Sequence, residues 1–224
     1  MENFRYRKER KRYTRNLYPA NHFEGLRTVG VVVVDASYQY EIDTSAFTSA
    51  LHTQLQGIEG IQVIPNVVVL AELERNEYAL PADGLALNAA LGLDGTFVAL
   101  MTDYQPYGEP VIALSLTLFS SVVRTGAPFD LAKEVQAGME PPKDGRMTAM
   151  PVAGVFAVYD ASQQSTRRRI KWFAEGATAE EVGLSWERYY RVMPNYMRFV
   201  SYEIVWRLFE EFSSEPIETD ERRD

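Results

Sequence analysis

The chain has 224 residues, 46% of them hydrophobic and 24% charged, with a formal net charge of −8 and no cysteine. That length can bury one substantial core. The missing cysteines exclude disulfides, thiolate metal sites and cysteine nucleophiles. Only His22 and His52 offer imidazole, so a zinc, iron or copper site is not expected, and no cofactor is predicted.

Residues 1–15 carry seven cations, among them Arg10, Lys11 and Arg12, against Glu2 and Glu9. This local +5 leaves −13 for the rest of the chain. The body should therefore repel nucleic acid, and only the basic end could attract phosphates or anionic lipid. Residues 1–26 read as a basic N-terminal arm, a flexible solvated terminus. Phe4, Tyr6, Tyr13, Tyr18 and Phe23 leave room for part of it to pack on the domain or on a partner. No apolar h-region follows the charged start.

Val29 to Val34 (VGVVVV) is a β-branched run, expected as a strand buried on both faces. Asp43 or Thr44 then caps a helix whose stripe is Phe47, Leu51 and Leu55, ended by Gly57 and Gly60. Ile61 to Ile64 predicts a second strand, completing a βαβ start. Asn66 to Asn76 reads as a helix with Val67, Leu70, Ala71 and Leu73 inward and Glu72, Glu74 and Arg75 outward. After the breaker Pro81-Ala82-Asp83-Gly84 come a short helix, Leu85 to Leu91, and a third strand, Thr96 to Thr102.

From Asp103 to Pro110 the chain is rich in Tyr, Pro and Gly. Ile112, Leu114, Leu116 and Leu118 then alternate with Ala113, Ser115 and Thr117, which predicts an antiparallel strand with one wet face. Arg124 to Pro128 reads as the next turn, and residues 126–151 as a loop excursion. Val152 to Tyr159 predicts a further strand. Ser162 is a candidate N-cap for a basic helix, Gln163 to Ala174. Ser185 to Phe212 reads as a long C-terminal helix, with Pro194 as a point of interruption. Residues 213–224 form an acidic tail expected to be disordered.

The expected fold is α/β (α+β mixed): one mixed sheet of about five strands with a βαβ start and a long antiparallel hairpin, helices packed on it, and a long C-terminal helix. The domain should span 27–212.

Catalytic patterns are missing from the sequence: it carries no GxSxG, HExxH, Walker A or GxGxxG. Asp35, Asp103 and Asp160 at strand ends are the acid/base candidates, and an enzyme would gather them around one cleft. Asp is equally a turn and cap residue, so catalysis is not expected. The candidates for contact are the hairpin tip Tyr104, Pro106 and Tyr107, the run Arg167, Arg168, Arg169 and Lys171 with the adjoining Trp172, and Arg10, Lys11 and Arg12.

Leu91-Gly92-Leu93-Asp94 before a strand of the FVALMTDY type, the VGVVVV first strand, and the outgoing strand Val111–Val123 with its Thr125-Gly126 turn carry a resemblance. They resemble the α/β domain of bacterial envelope lipoproteins of the curli-secretion, penicillin-binding-protein-activator and Tol-Pal N-terminal-domain type. The resemblance covers about residues 27–124 and, more loosely, the last helix. It implies a non-enzymatic binding or scaffold module of the cell envelope that assembles or regulates envelope machinery. Such a module is peripheral or lipid-anchored in the periplasm or at the outer membrane. The chain departs from the pattern in having no lipobox cysteine. Protein partners are expected, including further copies of the chain; membrane association through the N-terminus is compatible, and nucleic acid is not expected. The alternative is a cytoplasmic or phage-type structural subunit that self-assembles through its basic arm.

Overall fold

The computed structural model describes residues 10–15, 17–37, 40, 42–123, 151–177 and 186–213. Five strands make one sheet: β1 (Thr28–Asp35), β2 (Gln62–Val63), β3 (Gly95–Gln105), β4 (Val111–Ser120) and β5 (Ala153–Asp160), in the order β2-β1-β3-β4-β5. β1 pairs in parallel with β2 and β3, whereas β3–β4 and β4–β5 are antiparallel. The helices include α1 (Thr44–Gln56), α2 (Asn66–Arg75), α3 (Gly84–Leu91), α4 (Gln164–Ala177), α5 (Arg188–Arg191) and α6 (Met193–Ser213), and residues 10–14 are helical as well. The mixed α/β class, the βαβ start, the long hairpin and the long C-terminal helix are as expected. No helix of the described residues is long and apolar enough to cross a membrane.

Period two sorts the sheet into two faces. On the front, Val29, Val31, Phe97, Ala99, Leu114, Leu116, Leu118, Val155 and Ala157 join one apolar cluster with α1 and α6. Phe47, Leu51 and Leu55 of α1 lie fully in it, as their spacing of four requires. On the back, Val32 packs with Val69 of α2 and Leu87 of α3, a smaller cluster over β1 and β3. Val31 and Val32 are thus both buried, which is why the run reads as VGVVVV.

Two local devices set the βα geometry. Gly92 closes α3 in the left-handed conformation (φ 64°), a position where glycine has no Cβ penalty. Asp94 then accepts the Thr28 amide at 2.7 Å and the Arg27 amide at 3.2 Å, tying the start of β1 to β3. Asn88, buried in α3, donates to the Phe119 carbonyl at 2.9 Å and accepts from the Thr96 hydroxyl, fixing α3 across β3 and β4.

Several boundaries and one helix phase differ from expectation. Ile61–Ile64 yields a strand of only Gln62–Val63, because the chain turns into α2 at Pro65. α2 is rotated from the expected phase. Val67 (70% exposed), Leu70 (47%) and Ala71 face outward, while Val69 and Glu72 are buried. The inward place of Glu72 is explained by its partners, Asn76 Nδ2 at 2.7 Å and the Tyr78 hydroxyl at 2.8 Å, which offset its desolvation. α4 begins at Gln164, and the Ser162 amide donates to Asp160 at 2.8 Å, so Ser162 is held in a turn before the helix. The C-terminal helix is interrupted at Val192, which is extended, and Pro194 falls in the first turn of α6 where its missing N–H costs nothing. Residues 1–9, most of the 126–151 excursion, the Arg124–Pro128 turn and the 214–224 part of the acidic tail lie outside the described residues.

Asp43 is the N-cap of α1, accepting the Ala46 amide at 2.9 Å and the Ser45 hydroxyl at 2.7 Å, and these bonds hold its carboxyl below its ordinary pKa. A depressed folded-state pKa stabilises above the unfolded value, and the gain is lost as pH falls through the folded one. Asp43→Ala should lower the urea midpoint of unfolding at pH 7, because the Ala46 amide loses its cap. Asp43→Asn should keep most of the cap and flatten the loss of stability on acidification.

Candidate functional site

The strand-end carboxylates do not form a catalytic cleft. All three lie at the same end of the sheet, but the register puts Asp35 on the face of Met101 and Asp103 on the face of Ala113, with a bulge between Met101 and Asp103. Asp160 sits opposite Val111 on β5, three strand spacings from Asp35, or about 14 Å. Each is also engaged locally. Asp35 accepts the Ser37 amide at 2.8 Å and its hydroxyl at 2.7 Å. Asp160 accepts from Ser162 and, at 3.2 Å, from Gln163 Nε2; the Ser162 bonds lower its pKa. Asp103 has Gln105 Nε2 at 3.5 Å. His22 is exposed and His52 half-buried beside the α1 stripe. Among the described residues no group of His, Asp and Glu could hold a metal ion.

The basic residues singled out in the sequence divide into two groups. Arg12 and Arg169 converge on Glu203 of α6, at 2.7 Å and 2.6 Å, on opposite carboxylate oxygens. The Tyr13 hydroxyl donates to the same oxygen as Arg12 at 2.6 Å. Glu203 is only 4% exposed. Burial and the Glu203 charge push the Tyr13 phenol far above its ordinary pKa. For Arg12, burial opposes the charge, but Glu203 and its neighbours together raise the pKa. Trp172 is buried with its ring 5.9 Å from Tyr13, and Trp206 lies under the Arg12 guanidinium at 5.1 Å.

These residues thus serve the interior. The solvated arm expected over 1–26 does not describe residues 10–15 and 17–26. Tyr13, Phe23 and Leu26 are buried, and Tyr202 and Trp206 hold the Leu17 carbonyl at 3.1 and 2.9 Å. Trp172, read as a contact residue, is core because the 10–15 segment packs against it, its ring 5.9 Å from that of buried Tyr13.

Arg10 pairs with Glu175 at 3.2 Å at the surface, and Lys11, Arg168 and Lys171 are exposed. Arg167 pairs with Glu109 of the β3–β4 turn, and its Nε donates to the Ala161 carbonyl at 2.7 Å. The hairpin tip and the Arg-rich helix, separate in sequence, therefore meet. Within the tip Tyr104 is buried and Pro106 half-buried. Tyr107, 77% exposed, stands edge-on to Tyr40 with ring centroids 5.6 Å apart. Tyr40, Glu109 and Glu203 were missed in the sequence, since no motif marks a partner that lies dozens of residues away.

A further feature was not legible at all. The Val29 carbonyl accepts the Ile64 amide on the β2 side, and the Thr28 carbonyl accepts the Asp94 amide on the β3 side, both at 2.9 Å. Alternation then turns the backbone groups of Val31, Val33 and Asp35 toward β2. β2, however, pairs only with Thr28 and Val29. Beyond it, β1 borders an open groove of about 590 Å³, lined by Val32 to Asp35, Leu73 and Asn76 to Leu80. Valine and leucine form its floor, and Asp35 and Glu77 stand exposed on its rim.

No family model matches the chain, and no curated protein matches its sequence. Solved structures similar in chain path include lipoprotein GNA1162 from Neisseria meningitidis (15% identity, TM-score 0.40, 59% of this chain and 79% of that one). Another is the LpoB C-terminal domain from Salmonella enterica (10% identity, TM-score 0.39, 61% and 86%). A third is the hypothetical protein CT253 from Chlamydia trachomatis (12% identity, TM-score 0.36, 84% and 93%). At these identities the likeness is one of fold, and none of them assigns a role to this chain.

Removing Glu203 would leave two partly buried guanidiniums facing each other. Glu203→Gln should destabilise by about 3 kcal/mol or more in urea unfolding. Arg10→Ala, which removes an exposed pair, should cost under about 1 kcal/mol.

Proposed function

We propose that this chain is a binding module of the bacterial cell envelope that holds an extended segment of a partner protein along the open edge of β1. The observation that carries the reading is the groove beside Val31–Asp35. Strand backbone there, unpaired among the described residues, borders an apolar floor and an acidic rim. An added strand gains main-chain hydrogen bonds from such an edge, and alternate side chains gain specificity from its floor. The rim of Asp35 and Glu77, on a chain of net charge −8, favours a segment carrying lysine or arginine. That the module works by binding is supported by the local engagement of Asp35 and Asp160 in turns. The envelope, at the periplasm or outer membrane, is supported by the sequence resemblance of residues 27–124. On this reading the module assembles or regulates envelope machinery.

A photo-crosslinking residue at Ala79, exposed on the groove, with a control at exposed Arg188, tests the reading in the source cell. One discrete protein from the envelope fraction should be captured from position 79 only. Val33→Pro removes an edge-facing N–H that the sheet does not use, and Glu77→Lys reverses the rim. Each should reduce capture at least ~5-fold, a loss of about 1 kcal/mol, with the melting transition retained. Identical products from both positions, or a chain that fractionates with cytosol, would refute it.

A further inference from the structure

The opposite border of the sheet has different chemistry. β5 pairs with β4 on one side, and among the described residues nothing pairs with it on the other. Its sequence, AGVFAVYD, has no charge before Asp160 and no proline. The strand itself therefore lacks the charge and proline that usually protect an edge, and none of the described residues pairs with it on that side. Phe156 is 47% exposed and Val158 is 54% exposed, both on the back face that α2 and α3 leave uncovered.

The direction of the backbone follows from one bond. The Ala161 amide donates to the Pro110 carbonyl at 2.9 Å, so residues 159, 157 and 155 turn their N–H and C=O toward β4. Gly154, Phe156, Val158 and Asp160 turn theirs to the open edge. The residues with free backbone groups are thus the same ones that present the exposed apolar side chains.

Such a strand matches itself. An antiparallel approach on a two-fold axis through Ala157 sets Phe156 opposite Val158 of a second copy, and Val158 opposite its Phe156. Both are hydrogen-bonded pairs of the aromatic and β-branched kind that stabilise sheets. Ala157 meets Ala157 in the closely spaced, non-hydrogen-bonded pair, about 4.5 Å between Cα atoms, where the two side chains come nearest. Asp160 falls opposite Gly154, so no like charges meet. An axis through Phe156 would set Val158 against Gly154, and one through Val158 would set Phe156 against Asp160. Among these registers only the Ala157 axis gives both apolar residues an apolar partner.

We infer that β5 is the interface of a two-fold dimer of this chain, in which the two sheets join edge to edge through an axis at Ala157. This surface is separate from the β1 groove, and the inference does not rest on the function proposed for that groove. Strand pairing alone is small beside a standard interface of about 1,600 Å², so the dimer should dissociate on dilution.

Sedimentation equilibrium of the full chain from micromolar to millimolar concentration should show a monomer–dimer equilibrium. Phe156→Lys with Val158→Lys should weaken it at least ~10-fold, with circular dichroism and melting retained because both side chains are exposed. Phe156→Glu with Val158→Lys should restore the dimer, since each pair across the axis then sets a carboxylate against an ammonium, and this restored dimer should weaken with salt. Amide exchange gives a second readout. The Phe156 and Val158 amides should be protected only at dimer concentrations, and those of Val155, Ala157 and Tyr159 at all concentrations. A monomer throughout, a dimer indifferent to the double lysine, assembly without fixed stoichiometry, or no rescue by the glutamate–lysine variant would overturn the inference.

Discussion

Glu203 sits in the middle of α6 among residues that are otherwise apolar, and a lone carboxylate there would be costly to desolvate. It is tolerated because Arg12 and Arg169 each take one of its oxygens and Tyr13 donates to one of them. The aromatic shell of Tyr13, Trp172, Tyr202 and Trp206 keeps water away, which strengthens these bonds and raises the penalty for breaking any one. The three charges lie on three separate pieces of chain: residues 10–14, α4 and α6. One buried carboxylate therefore holds together the layer that roofs the front of the sheet. Apolar residues of matching shape could fill that space, and the ionic arrangement adds directionality, because only one docking of the N-terminal segment satisfies Glu203.

That roof has a consequence for the rest of the molecule. The front face is covered across the sheet, so its residues are sealed from Val29 to Tyr159. Among the described residues, the back is covered only where α2 and α3 cross β1, β3 and the Phe119 end of β4. Rotation of α2 about its axis, fixed by the bonds of Glu72 to Asn76 and Tyr78, turns Val67, Val68 and Leu70 outward. The sheet thus has two unlike borders: past the short β2, a β1 edge beside residues 76–80, and a β5 edge that is unpaired among the described residues.

What the sequence revealed and what it concealed follow the range of the interactions. The β1 run, the α1 stripe and the alternation of β4 are periodic patterns within single elements, and they were legible because local geometry alone imposes them. The Leu91–Asp94 turn was legible as a motif, and Gly92 and Asp94 supply its physical reason. The phase of α2 was misread because Glu72 looks like a solvated charge until its partners are known. Arg12 and Arg169 looked like surface because Glu203 lies far along the chain from each, and Trp172 because Tyr13 does. The groove depends on β2 being two residues long, and Ile61-Gln62-Val63-Ile64 carries no sign of stopping at Val63. Nothing within one element announces where its neighbour will end.

The two borders differ in what they can accept. The β1 edge borders the 76–80 segment and carries an acidic rim, so a second copy of the same strand would set like charges against it. On the proposed reading it takes a single extended chain with cationic side chains. The β5 edge, neutral before Asp160 and carrying a self-matching apolar pair, has the opposite preference, since another sheet border of the same pattern fills it. Left bare, such an edge would pair indiscriminately. A symmetric partner that satisfies each of its groups once and then closes is the arrangement that removes the hazard without extending into a fibre.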